Sequence, residues 1–283
     1  MIIIDKISKL REIIAECRLS GKKIGLVPTM GYLHNGHLSL VKKAKEYSDF
    51  VCVSIFVNPI QFGENEDFAK YPRDLNRDTE LLKETGCDLC FTPSVKEMYP
   101  NEILTSVSVD KLTDKLCGAY RPGHFTGVCT IVSKLFNIFT PDIAVFGQKD
   151  AQQLAVIKKM VEDLNFPIEI IKAPIIREKD GLAMSSRNIY LNEEERKAAV
   201  VLHKSLKEAE KLLLKNEKNP SNIINKVIEV LTTEPLCKIQ YVSCVHPYTL
   251  EDLNEIKDKA LIAIACYIGK TRLIDNLLWG EKI

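Results

Sequence analysis

The 283-residue sequence carries no excess of either charge, with 39 basic against 38 acidic side chains. A surface built to hold tRNA or DNA is therefore not indicated by net charge. A local cluster of Arg121, Lys149, Arg177 and Arg187 would vanish in that sum, and such a cluster suits a small polyanion better. Long apolar runs are missing as well: the longest, at 51–57 and 261–268, fall well short of the ~20 residues that a membrane span needs. The N-terminal residues lack a basic segment followed by an apolar stretch, so the expectation is a cytoplasmic protein with no membrane partner. No internal repeat and no low-complexity tract is present. Gly25, Gly31 and Gly36 do not make a G-x-G-x-x-G fingerprint, which disfavours a nicotinamide enzyme. Ile268-Gly269-Lys270-Thr271 ends like a phosphate-binding P-loop, but Ile264 stands where its first glycine is required, so a turn before a strand is expected there. Ser185-Ser186 lack the G-x-S-x-G setting of a serine nucleophile.

The nine cysteines are an odd number scattered through apolar segments such as Val51-Cys52-Val53, where cysteine behaves as a small hydrophobe. Cys87-Asp88-Leu89-Cys90 has redox or zinc spacing without a second pair, and its residues 88–91 read as a strand with an inward thiol. No disulfide framework and no bound metal site is expected.

Against these absences, one segment stands out. Lys23-Ile24-Gly25-Leu26-Val27 is the short apolar run of a buried parallel strand, and Leu38, Leu40, Val41 and Ala44 recur at helical spacing. Between them, Pro28-Thr29-Met30-Gly31-Tyr32-Leu33-His34-Asn35-Gly36-His37 places two histidines at a helix start. Free backbone N–H groups and the positive end of the helix dipole favour a phosphate there, and imidazoles add hydrogen bonds to it. Histidines at this spacing are equally compatible with zinc ligation or a polar loop.

Strand-like segments at 24–27, 50–57, 88–91, 143–146 and 168–171 alternate with helical patterns at 75–84, 128–139 and 151–164. This order predicts an α/β fold with a doubly wound parallel sheet, in which ligands bind beyond the carboxyl ends of the strands. Residues 29–37, 58–61 and 147–150 all fall at such ends. After Arg177 the pattern changes: 192–215 reads as one highly charged helix, 221–231 as another, and 238–244 with 260–267 as strands of a smaller α+β domain. The expected division is 1–176 and 177–283, the second domain forming a lid over the site, with Met184-Ser185-Ser186-Arg187-Asn188 at the junction as a moving lid segment or a static interdomain loop.

The H-x-G-H tetrapeptide His34-Asn35-Gly36-His37 resembles the signature of a nucleotidyltransferase superfamily that includes class I aminoacyl-tRNA synthetases, and the basic, Ser-rich loop at 184–188 resembles its partner signature. Between them lie Phe56-Val57-Asn58-Pro59-Ile60-Gln61-Phe62, Tyr71-Pro72-Arg73-Asp74, Tyr120-Arg121-Pro122-Gly123-His124-Phe125-Thr126-Gly127-Val128 and Phe146-Gly147-Gln148-Lys149-Asp150-Ala151-Gln152-Gln153. Taken in order, these segments resemble the pantothenate synthetases over 23–192, and more weakly to the C-terminus. The resemblance implies a Rossmann-like fold of HUP type and an AMP-forming ligase that joins pantoate to β-alanine through a pantoyl adenylate. It implies catalytic roles for His34, His37 and Lys149. ATP would be held by Met30, Gly31, Tyr32, Leu33, Asn35 and Gly36 beside the histidines, by Gly147, Gln148 and Asp150 beside Lys149, and by Ile176, Met184, Ser185, Ser186 and Arg187. Pantoate would bind Gln61 and Gln153, and β-alanine Gln61. Mg²⁺ would enter with ATP, and the enzyme would be a homodimer.

Residue chemistry agrees on several points. Serine hydroxyls and a guanidinium suit β- and γ-phosphates. Two glutamines suit a substrate with two hydroxyls, walled by Met30, Phe56 and Phe62. Asp150 opens the next helix, where it either caps it or bonds the ribose. The functional expectations from other classes are a nucleotidyltransferase making a dinucleotide-like product, and a non-enzymatic nucleotide- or tRNA-binding module.

Overall fold

The computed structural model describes residues 1–64 and 66–281. Six parallel strands, β1 (Ile2–Ile4), β2 (Ile24–Thr29), β3 (Phe50–Ile55), β4 (Leu89–Phe91), β5 (Ile143–Gly147) and β6 (Glu169–Ala173), form one sheet in the order β1-β4-β3-β2-β5-β6. The doubly wound sheet is as expected, with an added edge strand: β1 pairs with β4, Ile2 opposite Leu89. Three isoleucines are too few to announce a strand alone, and the pairing makes them one.

Helices α1 (Ile7–Leu19), α2 (Asn35–Lys45), α3 (Leu75–Thr85), α4 (Val95–Met98), α5 (Leu116–Tyr120), α6 (His124–Phe139) and α7 (Ala151–Asp163) connect these strands. Successive side chains of a strand point to opposite faces, so an apolar run supplies both layers at once. Ile24 and Leu26 of β2 join Phe50 and Cys52 of β3 in the core on one face, with Leu10 of α1 and Phe136 of α6. Val27, Val51 and Val53 enter the core on the other, with Val41 of α2 and Leu82 of α3. Pro28 lacks a donor, and it lies beyond Leu26, the last β2 residue paired with β5.

Helix α6 begins four residues earlier than its apolar pattern suggests, and Gly127 explains how closely it docks. A Cβ there would sit 2.4 Å from the Ile60 carbonyl oxygen, so only glycine lets the helix pack on the 3₁₀ turn Pro59–Gln61.

Helices α8 (Glu193–Ala198), α9 (Val201–Leu214) and α10 (Pro220–Leu231) cover one face of an antiparallel sheet of β7 (Cys237–Val245), β8 (Ala260–Ile268) and β9 (Thr271–Trp279). The helix expected over 192–215 is therefore two, divided at Ala199–Val200, with a capping box of Asn192 and Glu195 opening the first. The other face sends Val245, Leu261 and Ala263 into the core of the parallel sheet. Residues 268–271 form the β8–β9 turn, with Gly269 at φ +56°.

Among the described residues no helix is long and apolar enough to cross a membrane, and no cluster of three or more His, Cys, Asp or Glu side chains could hold a metal. All nine cysteines are free. Cys87 and Cys90 are buried, and that burial pushes their thiols up to about 12.

Candidate active site

The chain runs from β2 outward to β3 on one side and from β5 to β6 on the other, so the crevice between the carboxyl ends of β2 and β5 is the switch point of the sheet. The turn after β2 is irregular, with Gly31 at φ +84° and Tyr32 at φ +50°. Asp78 of α3, only 1% exposed, holds it there by accepting the backbone N–H groups of Tyr32 and Leu33, each at 2.7 Å. The chain then enters α2 with His34 as its N-cap. His34 Nδ1 accepts the Gly36 N–H at 3.1 Å, and the His34 N–H is donated to His37 Nδ1 at 3.4 Å.

Both Nδ1 atoms being acceptors, each ring carries its hydrogen on Nε2 and can donate it onward. The rings lie 4.1 Å apart, centroid to centroid. Burial lowers His34 to about 3, helped by His37 and Lys149, and burial with Lys149 lowers His37 to about 4. The pair is thus neutral at pH 7: two hydrogen-bond donors at a helix start, suited to polarising a phosphoryl group.

Across the crevice, β5 ends in a 3₁₀ turn, Gln148–Asp150. Lys149 Nζ stands 3.9 Å from Asp150 Oδ2, and Asp150 precedes α7 without making a side-chain cap bond, which leaves its carboxylate to the crevice. Gln148 departs from expectation. Its side chain is buried, with Nε2 donating to Asn276 Oδ1 of β9 at 3.2 Å, so it supports the turn from behind.

The third side is the 3₁₀ segment Ser186–Tyr190. Ser185 Oγ accepts the Arg187 N–H at 3.3 Å, and Ser186 Oγ donates to the Tyr32 carbonyl at 3.2 Å. Arg187 makes a two-point pair with Asp67, at 2.9 and 2.8 Å, and lies over the Tyr71 ring. Burial disfavours the charge on Asp67, but Arg187 outweighs it and holds the carboxyl below its ordinary range. Arg121 is likewise paired with Glu66, and Arg177 with Asp275. The basic cluster expected from sequence is therefore largely neutralised from within. The spacing of arginines along the chain does not show where their carboxylates come from.

Gln61, 8% exposed, accepts from Asn58 Nδ2 at 3.1 Å and directs Nε2 toward Met30 Sδ at 3.1 Å. Asn58 is in turn fixed by the Tyr99 hydroxyl, 2.8 Å from its Oδ1, and by the Gly127 carbonyl. A cavity of about 210 Å³ brings Gln61 and Gln153 together with Met30, His34, Gly36, His37, Phe56, Gly147, Lys149, Asp150, Ile176, Met184, Ser185, Ser186 and Arg187. Gly31, Tyr32, Leu33 and Asn35 do not line it; the first three shape the turn, and Asn35 is exposed at the start of α2. Phe62 is not a wall either, because it packs on Phe68 and Tyr71. A wider opening of about 420 Å³ between the two sheets shares Lys149, Asp150, Gln153, Ser185 and Arg187 with the narrow lobe. His34, His37, Gln61 and Ser186 line the narrow lobe and not the wide one, which adjoins it.

Sequence reasoning missed Asp78, Tyr99 and Asn276. Asp78 sits in a charged helical pattern that reads as solvated, and nothing in its neighbours marks it as buried.

Comparison with known proteins places the whole chain among relatives of one kind. A protein from Thermoanaerobacter pseudethanolicus named pantothenate synthetase is 78% identical over 283 residues, covering all of both chains. One of the same name from Clostridium botulinum is 59% identical over 276 residues, 98% of each chain. The crystal structure of pantothenate synthetase from Thermus thermophilus superposes with a TM-score of 0.94 at 44% identity, covering 98% of this chain and 99% of that one. The Francisella tularensis pantoate-beta-alanine ligase, solved with β,γ-ATP and β-alanine, superposes at 0.80 and 38% identity, covering 98% and 97%. The profile of the Pantoate-beta-alanine ligase family matches residues 2–278, and with these relatives it shows that the chain belongs to that family, the pantothenate synthetases.

Proposed function

We propose that the narrow lobe makes pantoyl adenylate from pantoate and ATP, and then passes the pantoyl group to β-alanine. The observation that carries this reading is the convergence of two neutral histidine donors, Lys149 and the Ser185–Arg187 segment on a cavity that also holds Gln61 and Gln153. A carboxylate resists attack by an amine because its leaving group is oxide. In the first step a pantoate carboxylate oxygen bonds to the α-phosphorus of ATP while the bond to the bridging oxygen breaks, releasing pyrophosphate. In the second, the β-alanine amine bonds to the acyl carbon, the bond to AMP breaks, and the nitrogen sheds a proton. No protein nucleophile is needed. The enzyme positions the reactants and stabilises charge on the phosphates.

In this reading His34, His37 and Lys149 stabilise the developing phosphate charge, and Ser185, Ser186 and Arg187 receive the β- and γ-phosphates. Gln61 offers an N–H to pantoate, and its place in the same lobe lets it meet β-alanine. Gly147 and Ile176 border the nucleoside. Mg²⁺, entering with ATP, would offset phosphate charge. Asp150 is the lining carboxylate free of a guanidinium that could face it. A division at residue 176 fits the end of the parallel sheet at Ala173 and the second core that includes Leu182, with 184–188 as the lid segment between. A homodimer in the cytoplasm completes the reading.

Pantoate-dependent exchange of pyrophosphate into ATP, with AMP released only when β-alanine is added, tests it. Exchange without pantoate, or a nucleotide product other than AMP, would refute it.

A further inference from the structure

The parallel sheet supplies Lys149, but its turn is held from the other sheet. Asn276 of β9 is 3% exposed. Its Nδ2 donates to two successive carbonyls, those of Gln148 and Lys149, both at 3.0 Å, and its Oδ1 accepts from Gln148 Nε2. All of its side-chain hydrogen bonds thus go to the three-residue turn that presents Lys149 and Asp150. The residue beside it, Asp275, grips Arg177 with two hydrogen bonds at 2.6 and 3.0 Å, on the segment leading to the Ser-Arg loop. Further along β9, Arg272 reaches Cys117 Sγ at 3.3 Å, just before α5 runs into Arg121. One strand of the C-terminal sheet therefore touches three segments that border the crevice, and at the lysine turn its contact is with the backbone itself.

A carboxamide that donates to two carbonyls can do so only when its sheet is seated on the turn. Without it, both carbonyls lose this donor, at Gln148 in a buried place, and the turn is free to relax. We propose that Asn276 is a positioning residue for adenylate formation: it fixes the Gln148–Asp150 turn, so Lys149 is aimed at the phosphates only while the C-terminal sheet is docked. The inference rests on the functional reading above and extends it, because closure of the second domain then assembles the catalytic lysine as well as covering the substrates. Asn276 touches no substrate in this scheme, and its effect passes entirely through the turn.

The test uses the full enzyme with Asn276→Ala and Asn276→Ser, measuring the two half-reactions separately. Misplacement of a catalytic group by about 1 Å costs up to ~100-fold, so pantoate-dependent ATP–pyrophosphate exchange should fall by ~10- to 100-fold in Asn276→Ala. Reaction of preformed pantoyl adenylate with β-alanine should stay within ~2-fold of the parent enzyme, and Asn276→Ser, which keeps one donor, should recover part of the exchange. Adding Asn276→Ala to Lys149→Ala should cost at most ~2-fold more, since the residue acts through that lysine. Ile262→Ala, a buried change in the middle of the same sheet, controls for lost stability and should leave exchange per folded molecule unchanged. Equal loss in both half-reactions, a full further loss in the Lys149→Ala background, or no loss of exchange would overturn the proposal. Failure of the parent enzyme to exchange in a pantoate-dependent way would instead refute the functional reading on which it rests.

Discussion

The two rims of the crevice are built in opposite ways. The cap bonds of the histidine rim are local, joining residues two and three apart along the chain. The Ser-Arg rim is made at long range, with Arg187 clasped by Asp67 and Ser186 resting on Tyr32. A rim written in neighbouring residues holds its shape before substrate arrives. In the proposed reading, one held by an ion pair across 120 residues of sequence would have to exchange partners when phosphate comes, because the guanidinium fork already grips a carboxylate.

The sharpest test of this contrast is at the histidines. If they act as preorganised donors, His34→Ala and His37→Ala should each lower kcat by ~10²- to 10³-fold while thermal unfolding stays cooperative. Near-normal rates in both would reduce the local rim to scaffolding. Asp78→Ala strikes a long-range support of that rim, the buried carboxylate that accepts from Tyr32 and Leu33. It strands two backbone N–H groups, so folding stability measured in urea should drop by about 2–4 kcal/mol, with kcat/KM reduced for every substrate. An unchanged stability would mean that the turn holds itself.

Gln61→Leu should cost ~1–3 kcal/mol in kcat/KM for pantoate and leave ATP affinity almost untouched, because it removes a donor from the lobe and breaks its bond with Asn58. A defect confined to ATP would misplace the pantoate pocket. At the exchangeable rim the effects should be smaller and of opposite sign. Arg187→Ala should weaken ATP binding by several-fold, and Asp67→Asn, which frees the guanidinium, should tighten it, with AMP unaffected in both cases. Calorimetry with the two nucleotides decides this. Looser ATP binding in Asp67→Asn would show that the pair supports the site and does not compete with phosphate.

The smallest effect concerns pH. His34 and His37 are neutral in the fold, with values lowered from 6.5 to about 3 and about 4, so the histidines themselves should impose no titration on kcat between pH 6 and 8. As pH falls below 6.5 the unfolded chain takes up protons that the folded one refuses. Stability is therefore greatest above that value and declines toward pH 3–4. In His37→Ala that decline should be shallower, as urea titrations at pH 7, 5.5 and 4.5 would show.

How much of this could be read beforehand follows the same division. The strands at 24–27 and 143–146, the helix starts after them and their meeting at a switch point were legible, because a parallel strand and an amphipathic helix each leave a periodic trace. The strand at Ile2–Ile4 was not, since three residues carry no period and only pairing with Leu89–Phe91 defines them. The break between α8 and α9 was hidden because Ala199–Val200 suits a helix as well as a bend. The arginines were legible as cations, while their commitments to Glu66, Asp67 and Asp275 were not.

By itself the sequence determined the chemistry: which groups can donate, where the helix after β2 must start, and that the site would draw on histidines, a lysine, hydroxyls and carboxamides. Only the tertiary structure decided their states. Burial made the histidines neutral donors, a carboxylate from α3 fixed their turn, and a strand near the C-terminus grasped the backbone that presents the lysine. Protonation, partner and aim depend on what the fold brings within 3 Å, and the order of residues along the chain does not record that distance.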